Sequence, residues 1–367
     1  MSELIVPQQR ARAALKSLFV GDSLAMPVHW YYNPMDIFRQ FRGGISGFEA
    51  APDFHPSSIM ALHSTQRGGR GPHSANDEQR EVVGDVILKG RRQYWDKPNQ
   101  HYHQGMPAGE NTLNAYCARV VLRMLQANGG HYDRDAFLDA YIELMTAEPA
   151  RHPDTYAESY HRGFFANLES GKSAHQCGAV THDTASIGGL VTIAPIVFSE
   201  RLSGTPLDRA IEICVEHLSL THPDQHLAKV CKDYVGLLDE LLFIENSTDA
   251  AMAISAWSKR SIGLQLSEIF GKIHSDNDVI GRMFSSACYI SDSWPGVLYL
   301  AYKYCHSQAP GLIANTNLGG DNVHRGAVLG TLLGLANGAT VDELFDQLLH
   351  KDEIESEINE LITSQAS

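Results

Sequence analysis

The feature that most constrains the fold is a row of glycines near the C-terminal end of the chain. Gly326, Gly330, Gly334 and Gly338 follow one another at intervals of four residues within an otherwise apolar segment. Residues four apart lie on one face of an α-helix, and each interior glycine costs a helix about 1 kcal/mol relative to alanine. We therefore predict a helix whose glycine face is compensated by the close approach of a second helix.

Polar residues that tight packing does not explain stand at the entrance of this predicted helix. Gly319 and Gly320 come first, and Asp321, Asn322 and His324 follow. The free N–H groups and the dipole at a helix N-terminus favour anions and carboxylates. This segment is therefore the first candidate for a polar site.

Most of the remaining chain has the 3.6-residue periodicity of amphipathic helices. Apolar residues recur at helical spacing within 113–124, 211–218 and 227–241, and alternating strand patterns are scarce. This favours an all-α fold, a single compact domain over residues 1–367. The segment 221–224 is typical of a helix start, with Thr221 as the cap.

Residues 43–109 depart from this periodicity and are predicted to be a loop-rich insertion or lid within the domain, with one helix near 77–94. Arg67 and Arg70 either bind a diphosphate or lie in a solvated loop, and we favour the loop. The histidines of the insertion match no standard zinc spacing, and most are expected to be polar surface or lid residues. They are His55, His63, His73, His101 and His103.

Charge and hydropathy argue against two classes of partner. The chain has 29 Lys and Arg against 43 Asp and Glu, a net charge of −14, whereas nucleic acids and anionic membranes attract clustered basic residues. No apolar run approaches a membrane span, and the N-terminus lacks the apolar core of a signal peptide. The six cysteines are scattered singly, which predicts reduced thiols and a cytoplasmic location.

Five segments, in order along the chain, resemble the motifs of one enzyme family. They are 21–29 (GDSLAMPVH), 109–112 (GENT), 185–195, 220–223 (LTHP) and 317–324 (NLGGDNVH). Together they resemble the ADP-ribosylglycohydrolase superfamily, from about residue 10 to residue 340. The resemblance implies an orthogonal helical bundle that acts on a ribosyl N- or O-glycosidic ligand, free or attached to a protein. It does not indicate an oligomeric state.

The resemblance also implies a metal site, although several ligand positions differ. In active family members two Asp-rich motifs hold a pair of magnesium or manganese ions. The ligand positions that carry over are Glu110, Asn111, Thr112 and Asp321, whereas Val323 replaces a second Asp. Hard cations need oxygen ligands whose charge offsets dehydration. We therefore expect one Mg or Mn ion, or none.

Two further substitutions bear on activity, because His29 replaces an acid and His324 replaces a threonine. This pattern resembles the branch that contains the J-type lens crystallins and related selenoproteins. A hydrolase acting on an ADP-ribosyl or other ribosyl bond is the first interpretation. A catalytically inactive ADP-ribose-binding or crystallin-type structural protein is the alternative.

For a hydrolase, the predicted catalytic residues are Glu110 or Asp321 as base and His324 as acid. Hydrolysis at the ribose anomeric carbon passes through an oxocarbenium-like transition state. The residues predicted to bind the substrate are Asp22, His29, Trp30, His182, Asp183, Ser186, Gly319, Gly320 and Asn322.

Three of these assignments leave an alternative open. Asp183 and its neighbours either bind a phosphate or ribose hydroxyl or cap a helix. Asp22, at a helix C-terminus, needs a metal, a cation or a hydrogen-bond partner. The aromatic run 30–32 either stacks on a ligand ring or belongs to the core. The whole interpretation requires the helix entrances at 109–112 and 319–322 to face each other across a shared polar hollow, and a dry core around them would contradict it.

Overall fold

The computed structural model describes residues 6–60, 81–273, 275–339 and 341–364. Within these ranges the protein is all-α, as predicted, with isolated two-residue bridges but no strand. None of the described helices combines the length and apolar character that crossing a membrane requires. In chain order the α-helices are α1 (Pro7–Ala25), α2 (Pro34–Gln40), α3 (Leu113–Ala127), α4 (Arg134–Thr146), α5 (Ser159–Glu169), α6 (Ile193–Leu202), α7 (Leu207–Thr221), α8 (Gln225–Leu242), α9 (Ala250–Ile262), α10 (Leu266–Lys272), α11 (Asp276–Val279), α12 (Ile290–Lys303), α13 (Gln308–Asn317), α14 (Asn322–Asn337), α15 (Asp342–Phe345) and α16 (Lys351–Ser364).

The central helices α1 and α14 pack against each other more extensively than any other pair. Cβ atoms added at Gly326, Gly330 and Gly334 would lie 2.5, 2.1 and 2.5 Å from backbone atoms of α1. The predicted close approach of a second helix is therefore confirmed. Gly338 has a different role, because its positive φ of 63° ends α14 instead of extending the glycine face.

The close contact between these helices gives a stability prediction. Gly330→Ala is expected to lower the free energy of unfolding by about 1–3 kcal/mol, because the new methyl group meets backbone that cannot rotate away. Urea denaturation followed by circular dichroism measures this. Gly271→Ala is the matched control, since Gly271 lies in α10 with nothing within 4 Å of an added Cβ. Equal effects of the two substitutions would contradict the packing account.

The chain reverses direction between α7 and α8 at the predicted helix start, but the residue that caps α8 differs from the predicted one. Thr221 is the last residue of α7, so the prediction of Thr221 as a cap is wrong. Asp224 is the N-cap of α8, and its carboxylate accepts the Leu227 N–H at 2.8 Å. Asp and Thr are both good cap residues, and the position of the preceding helix decided between them.

The described parts of the insertion, 43–60 and 81–109, are mostly irregular, as predicted. The helix expected near 77–94 is wrong for its described part, which has a distorted π-type turn at Val82–Val86 and a 3-10 turn at Arg92–Tyr94. The left-handed φ of 103° at Gly84 interrupts the helical path there.

Most insertion histidines were predicted to be polar surface or lid residues, and surface exposure is wrong for His55, His101 and His103, which are buried. His55 Nε2 lies 2.9 Å from the carbonyl oxygen of His29, and His101 Nε2 lies 3.0 Å from that of Pro27. Both rings also accept a backbone N–H at Nδ1. Each ring is therefore neutral and ties the insertion to the loop after α1. The predictions for His63, Arg67, Arg70 and His73 lie outside the described residues.

Candidate functional site

Two loops that hydrogen-bond to each other form the base of the site. The Trp30 N–H donates to the Gly320 carbonyl at 2.7 Å, and the Gly320 N–H donates to the Tyr31 carbonyl at 2.8 Å. Gly319 and Gly320 have positive φ values of 66° and 64°. A Cβ at either would lie 2.0 Å from a carbonyl oxygen, of Tyr31 or of Ser286. Only glycines fit here, which explains the Gly-Gly pair.

Asp321 is the N-cap of α14 and is fully buried between two imidazoles. One carboxylate oxygen lies 3.0 Å from His29 Nε2, and the other lies 3.1 Å from His324 Nδ1. Burial opposes ionisation, but His324 and His29 hold the pKa of Asp321 below its usual range. Asp321 is therefore a buried carboxylate anion.

The two histidines beside Asp321 have opposite electrostatic surroundings. Burial lowers the pKa of His29 to about 3 despite the hydrogen bond to Asp321. Burial also opposes the charge of His324, but Asp321 and Glu158 together raise the pKa of His324 well above its usual value. A second carboxylate is thus the difference between the two rings.

A line of hydrogen bonds continues from His29 to the start of α3. His29 Nδ1 lies 2.8 Å from His103 Nε2, and His103 Nδ1 lies 2.8 Å from Asp154 Oδ1. The other oxygen of Asp154 accepts the Leu113 N–H, the first of α3, at 2.8 Å. Burial opposes the ionisation of Asp154, but the neighbouring His103 outweighs this effect and lowers the pKa of Asp154. This line joins the loop after α1, the insertion and α3.

A second line runs from His324 to Glu158, the residue before α5. His324 Nε2 lies 3.2 Å from Glu158 Oε1 and 2.5 Å from the side-chain amide of Asn114 on α3. The starts of α3 and α14 therefore meet, and their polar side chains there are buried. The polar hollow between them stays a prediction. Glu158 Oε2 is buried without a hydrogen-bond partner among the described groups, with His161 Nε2 3.6 Å away.

Asp22 holds the segment 109–112 against α1. Its carboxylate accepts from Asn111 Nδ2 at 2.8 Å, from the Thr112 N–H at 2.8 Å and from Thr112 Oγ1 at 2.6 Å. Of the compensations left open for Asp22, the structure thus contains hydrogen bonds to a neighbouring loop. Burial raises the pKa of Asp22, and these hydrogen bonds oppose the shift. Glu110 instead accepts from Tyr116 Oη at 3.0 Å.

The comparisons with known proteins agree with these motifs. Residues 4–367 match the ADP-ribosylglycohydrolase family profile. The chain belongs to the ADP-ribosylglycohydrolase family. A solved structure described as "ADP-ribosylglycohydrolase-related protein complex" shares the fold, with a TM-score of 0.58 and 18% identity over 98% of this chain and 99% of that one. No curated protein sequence matches this one.

The residues of this family member do not fit the pair of magnesium ions that the resemblance implies. Asn111 and Thr112 direct their donor hydrogens to Asp22. Among the His, Cys, Asp and Glu side chains of the described residues, those that could ligate a metal together with Asp321 are His29 and His324. Magnesium prefers an octahedron of oxygen ligands, and this nitrogen-rich set does not supply one.

The segment 182–186 is divided between surface and core. His182 is exposed, whereas Asp183 accepts from the Ser159 N–H at 3.2 Å and from Ser159 Oγ at 2.7 Å. Asp183 therefore caps α5, which is remote in sequence, rather than the helical turn that follows it. Ser186 is buried and its backbone pairs with Tyr289.

The aromatic run 30–32 is partly core and partly exposed. Trp30 stacks on His29 with ring centroids 3.6 Å apart, and its φ of 60° is unusual for a bulky residue. Tyr31 is buried, whereas Tyr32 is 52% exposed. Burial, and then Cys288 and Asp321, raise the pKa of Tyr32. Tyr32 is thus an exposed residue close to the buried cluster.

Asn322 supports the loop that carries Asp321. Its Nδ2 donates to the carbonyl of Thr316 at 2.8 Å and to that of Val28 at 3.3 Å, which joins α13 to the end of α1. Its Oδ1 has no hydrogen-bond partner among the described groups.

Sequence reasoning missed four buried residues of the site: Asn114, His103, Asp154 and Glu158. The available signal was the segment 152–161, which places two acids and two histidines directly before the apolar part of α5. Polar residues at that density ahead of a buried helix indicate either capping or a site. Here they do both.

Proposed function

We propose that this chain hydrolyses an N- or O-glycosidic bond of an ADP-ribosyl or other ribosyl group. The observation that carries the proposal is Asp321, which occupies a family motif and is a buried anion held by two imidazoles. With no ion bound, a fixed carboxylate stabilises the positive charge that develops at the anomeric carbon. In this proposal the ribosyl group binds beside Tyr32, which is 52% exposed. A cytoplasmic location is proposed as well, in line with six unpaired cysteines.

Glu158 is the proposed general acid–base group. Its Oε1 pairs with His324, and its buried Oε2 has no hydrogen-bond partner among the described groups. Glu110, the alternative base, is bonded to Tyr116 and lies 3.4 Å from His350. Both ring nitrogens of His324 already contact a carboxylate, so we assign His324 to positioning rather than to the acid role.

Turnover of a defined panel tests the proposal. The full-length protein is incubated with peptides carrying ADP-ribosyl-arginine or ADP-ribosyl-serine and with simple nucleosides, with and without magnesium. Chromatography then measures the free ADP-ribose or base. Release from at least one substrate supports the proposal, and no release from any of them contradicts it.

Glu158→Gln is expected to lower kcat/KM by about 100-fold on the substrate that is cleaved, because the amide does not exchange a proton. Glu143→Gln is the matched control, since Glu143 is exposed in an ion pair with Arg151. Both variants are first compared with the wild type by circular dichroism. A Glu158→Gln variant with unchanged kcat/KM would remove Glu158 from the mechanism.

The alternative is a catalytically inactive ADP-ribose-binding or crystallin-type structural protein. Histidine at position 29, where active relatives have an acid, favours it, as does the burial of this ring beneath Trp30. Calorimetric titration with ADP-ribose separates the possibilities. Binding without turnover supports a reader, and neither binding nor turnover supports a structural protein.

A further inference from the structure

We propose that His29, Asp321 and His324 bind one divalent transition-metal ion of the Zn²⁺ type, a site different from the family's magnesium pair. One ring nitrogen of each histidine and one carboxylate oxygen lie within 4.8 Å of one another. All three side chains are buried. Two imidazoles and one carboxylate are a common ligand set for zinc and iron, and three protein ligands leave a coordination position for water or substrate.

The far nitrogen of each ligand histidine has the kind of partner that metal sites need. His29 would bind the ion through Nε2, and its Nδ1 lies 2.8 Å from His103 Nε2. His103 in turn contacts Asp154 at 2.8 Å. His324 would bind through Nδ1, and its Nε2 lies 3.2 Å from Glu158 Oε1. Such carboxylate-terminated partners fix the tautomer of a ligand histidine and increase its basicity.

The hydrogen bonds around the three ligands are compatible with an ion at Asp321. Outside Asp321 the line has three contacts, Asp154 to His103, His103 to His29, and His324 to Glu158. With an ion bound at His29 Nε2 and His324 Nδ1, His103, His29 and His324 are neutral rings that carry one hydrogen each. One hydrogen is then available for each of the three contacts.

The same assignment fixes the neighbouring amide. His324 Nε2 then carries a hydrogen, and the Asn114 amide 2.5 Å away presents its oxygen to it. The Asn114 side chain also contacts Tyr160 Oη and His161 Nε2 at 2.8 and 3.0 Å, so the turned amide keeps polar partners. The side chains that contact the two ligand histidines thus have polar partners of their own.

Metal content tests this inference independently of the proposed hydrolysis, because no substrate is involved. The full-length protein is stripped with a chelator, incubated with Zn²⁺, Co²⁺ or Mg²⁺, and passed through a desalting column before elemental analysis. We expect one Zn²⁺ or Co²⁺ per chain, a visible absorption band from bound Co²⁺, and no retained Mg²⁺. Failure of the wild type to retain Zn²⁺ and Co²⁺, or retention of Mg²⁺ alone, would overturn the assignment.

Variants identify the ligands. His29→Gln and Asp321→Ala are expected to lose the Co²⁺ band, and Asp154→Asn is expected to weaken Zn²⁺ binding by about 10–100-fold, measured against a chromogenic chelator. His175→Gln and His226→Gln, at exposed histidines, are matched controls that should retain the ion. Loss in these controls, or full retention in folded Asp321→Ala, counts against the site. If Asp321→Ala does not fold, His29→Gln and the wild-type Co²⁺ spectrum decide.

Discussion

Asp22→Ala is expected to lower the free energy of unfolding by about 3–5 kcal/mol, the range seen when one partner of a buried charged group is removed. The Asp22 carboxylate is fully buried and accepts three hydrogen bonds from Asn111 and Thr112. Alanine leaves these donors in a buried environment without an acceptor, and each unpaired donor is costly. Urea denaturation followed by circular dichroism measures the loss, and a failure to accumulate folded protein is its extreme form.

Two comparison variants separate this effect from general loss of a carboxylate. Asp22→Asn keeps one acceptor oxygen and is expected to lose less than Asp22→Ala. Asp36→Ala removes an acid from the first turn of α2, where it pairs with the exposed Arg39, and is expected to cost about 0.5 kcal/mol or less. If Asp22→Ala and Asp36→Ala have the same effect, the segment 109–112 does not depend on Asp22.

Apolar periodicity predicted the helices because burial of one helix face repeats along the sequence. The segments 113–124, 211–218 and 227–241 lie in α3, α7 and α8. The glycine face of α14 was predictable for the same reason. Helix boundaries were less so, as the capping of α8 by Asp224 rather than Thr221 shows. Irregular segments have no such periodicity, which is why the helix predicted near 77–94 was wrong for its described part, 81–94.

The candidate site was only half visible in the sequence. Family motifs located Asp321 and His324, because those positions lie within one short segment. The partner of Asp321 is His29, 292 residues earlier, and the partner of His29 is His103 in the insertion. Such contacts depend on how loops pack on the helices, and no local pattern records them. The metal ligands predicted from the motifs therefore remain a prediction, with a second ligand set now proposed beside it.

The free energy of unfolding is expected to fall steeply between pH 7 and pH 5. This interval lies above the usual pKa values of carboxylates. Burial lowers the pKa of His55 and His152 to about 4 and that of His217 to about 3. In the unfolded chain a histidine has a pKa of about 6.5, so below that pH the unfolded state binds more protons than the folded state. The stabilisation is therefore complete above about pH 6.5 and is lost as the pH falls toward these folded values.

Three such histidines are expected to cost on the order of 5 kcal/mol between pH 7 and pH 5, since one pKa unit corresponds to about 1.4 kcal/mol. Urea denaturation at pH 7, 6 and 5 measures the slope. His217→Gln, at a buried ring that contacts Tyr132 and Thr192, should reduce the loss by about 2 kcal/mol, whereas His226→Gln, at an exposed position, should leave it unchanged. A slope that is flat from pH 7 to pH 5 in the wild type would mean that these buried rings take up protons without unfolding. The neutral state that the hydrogen bonds of His55 require would then be wrong.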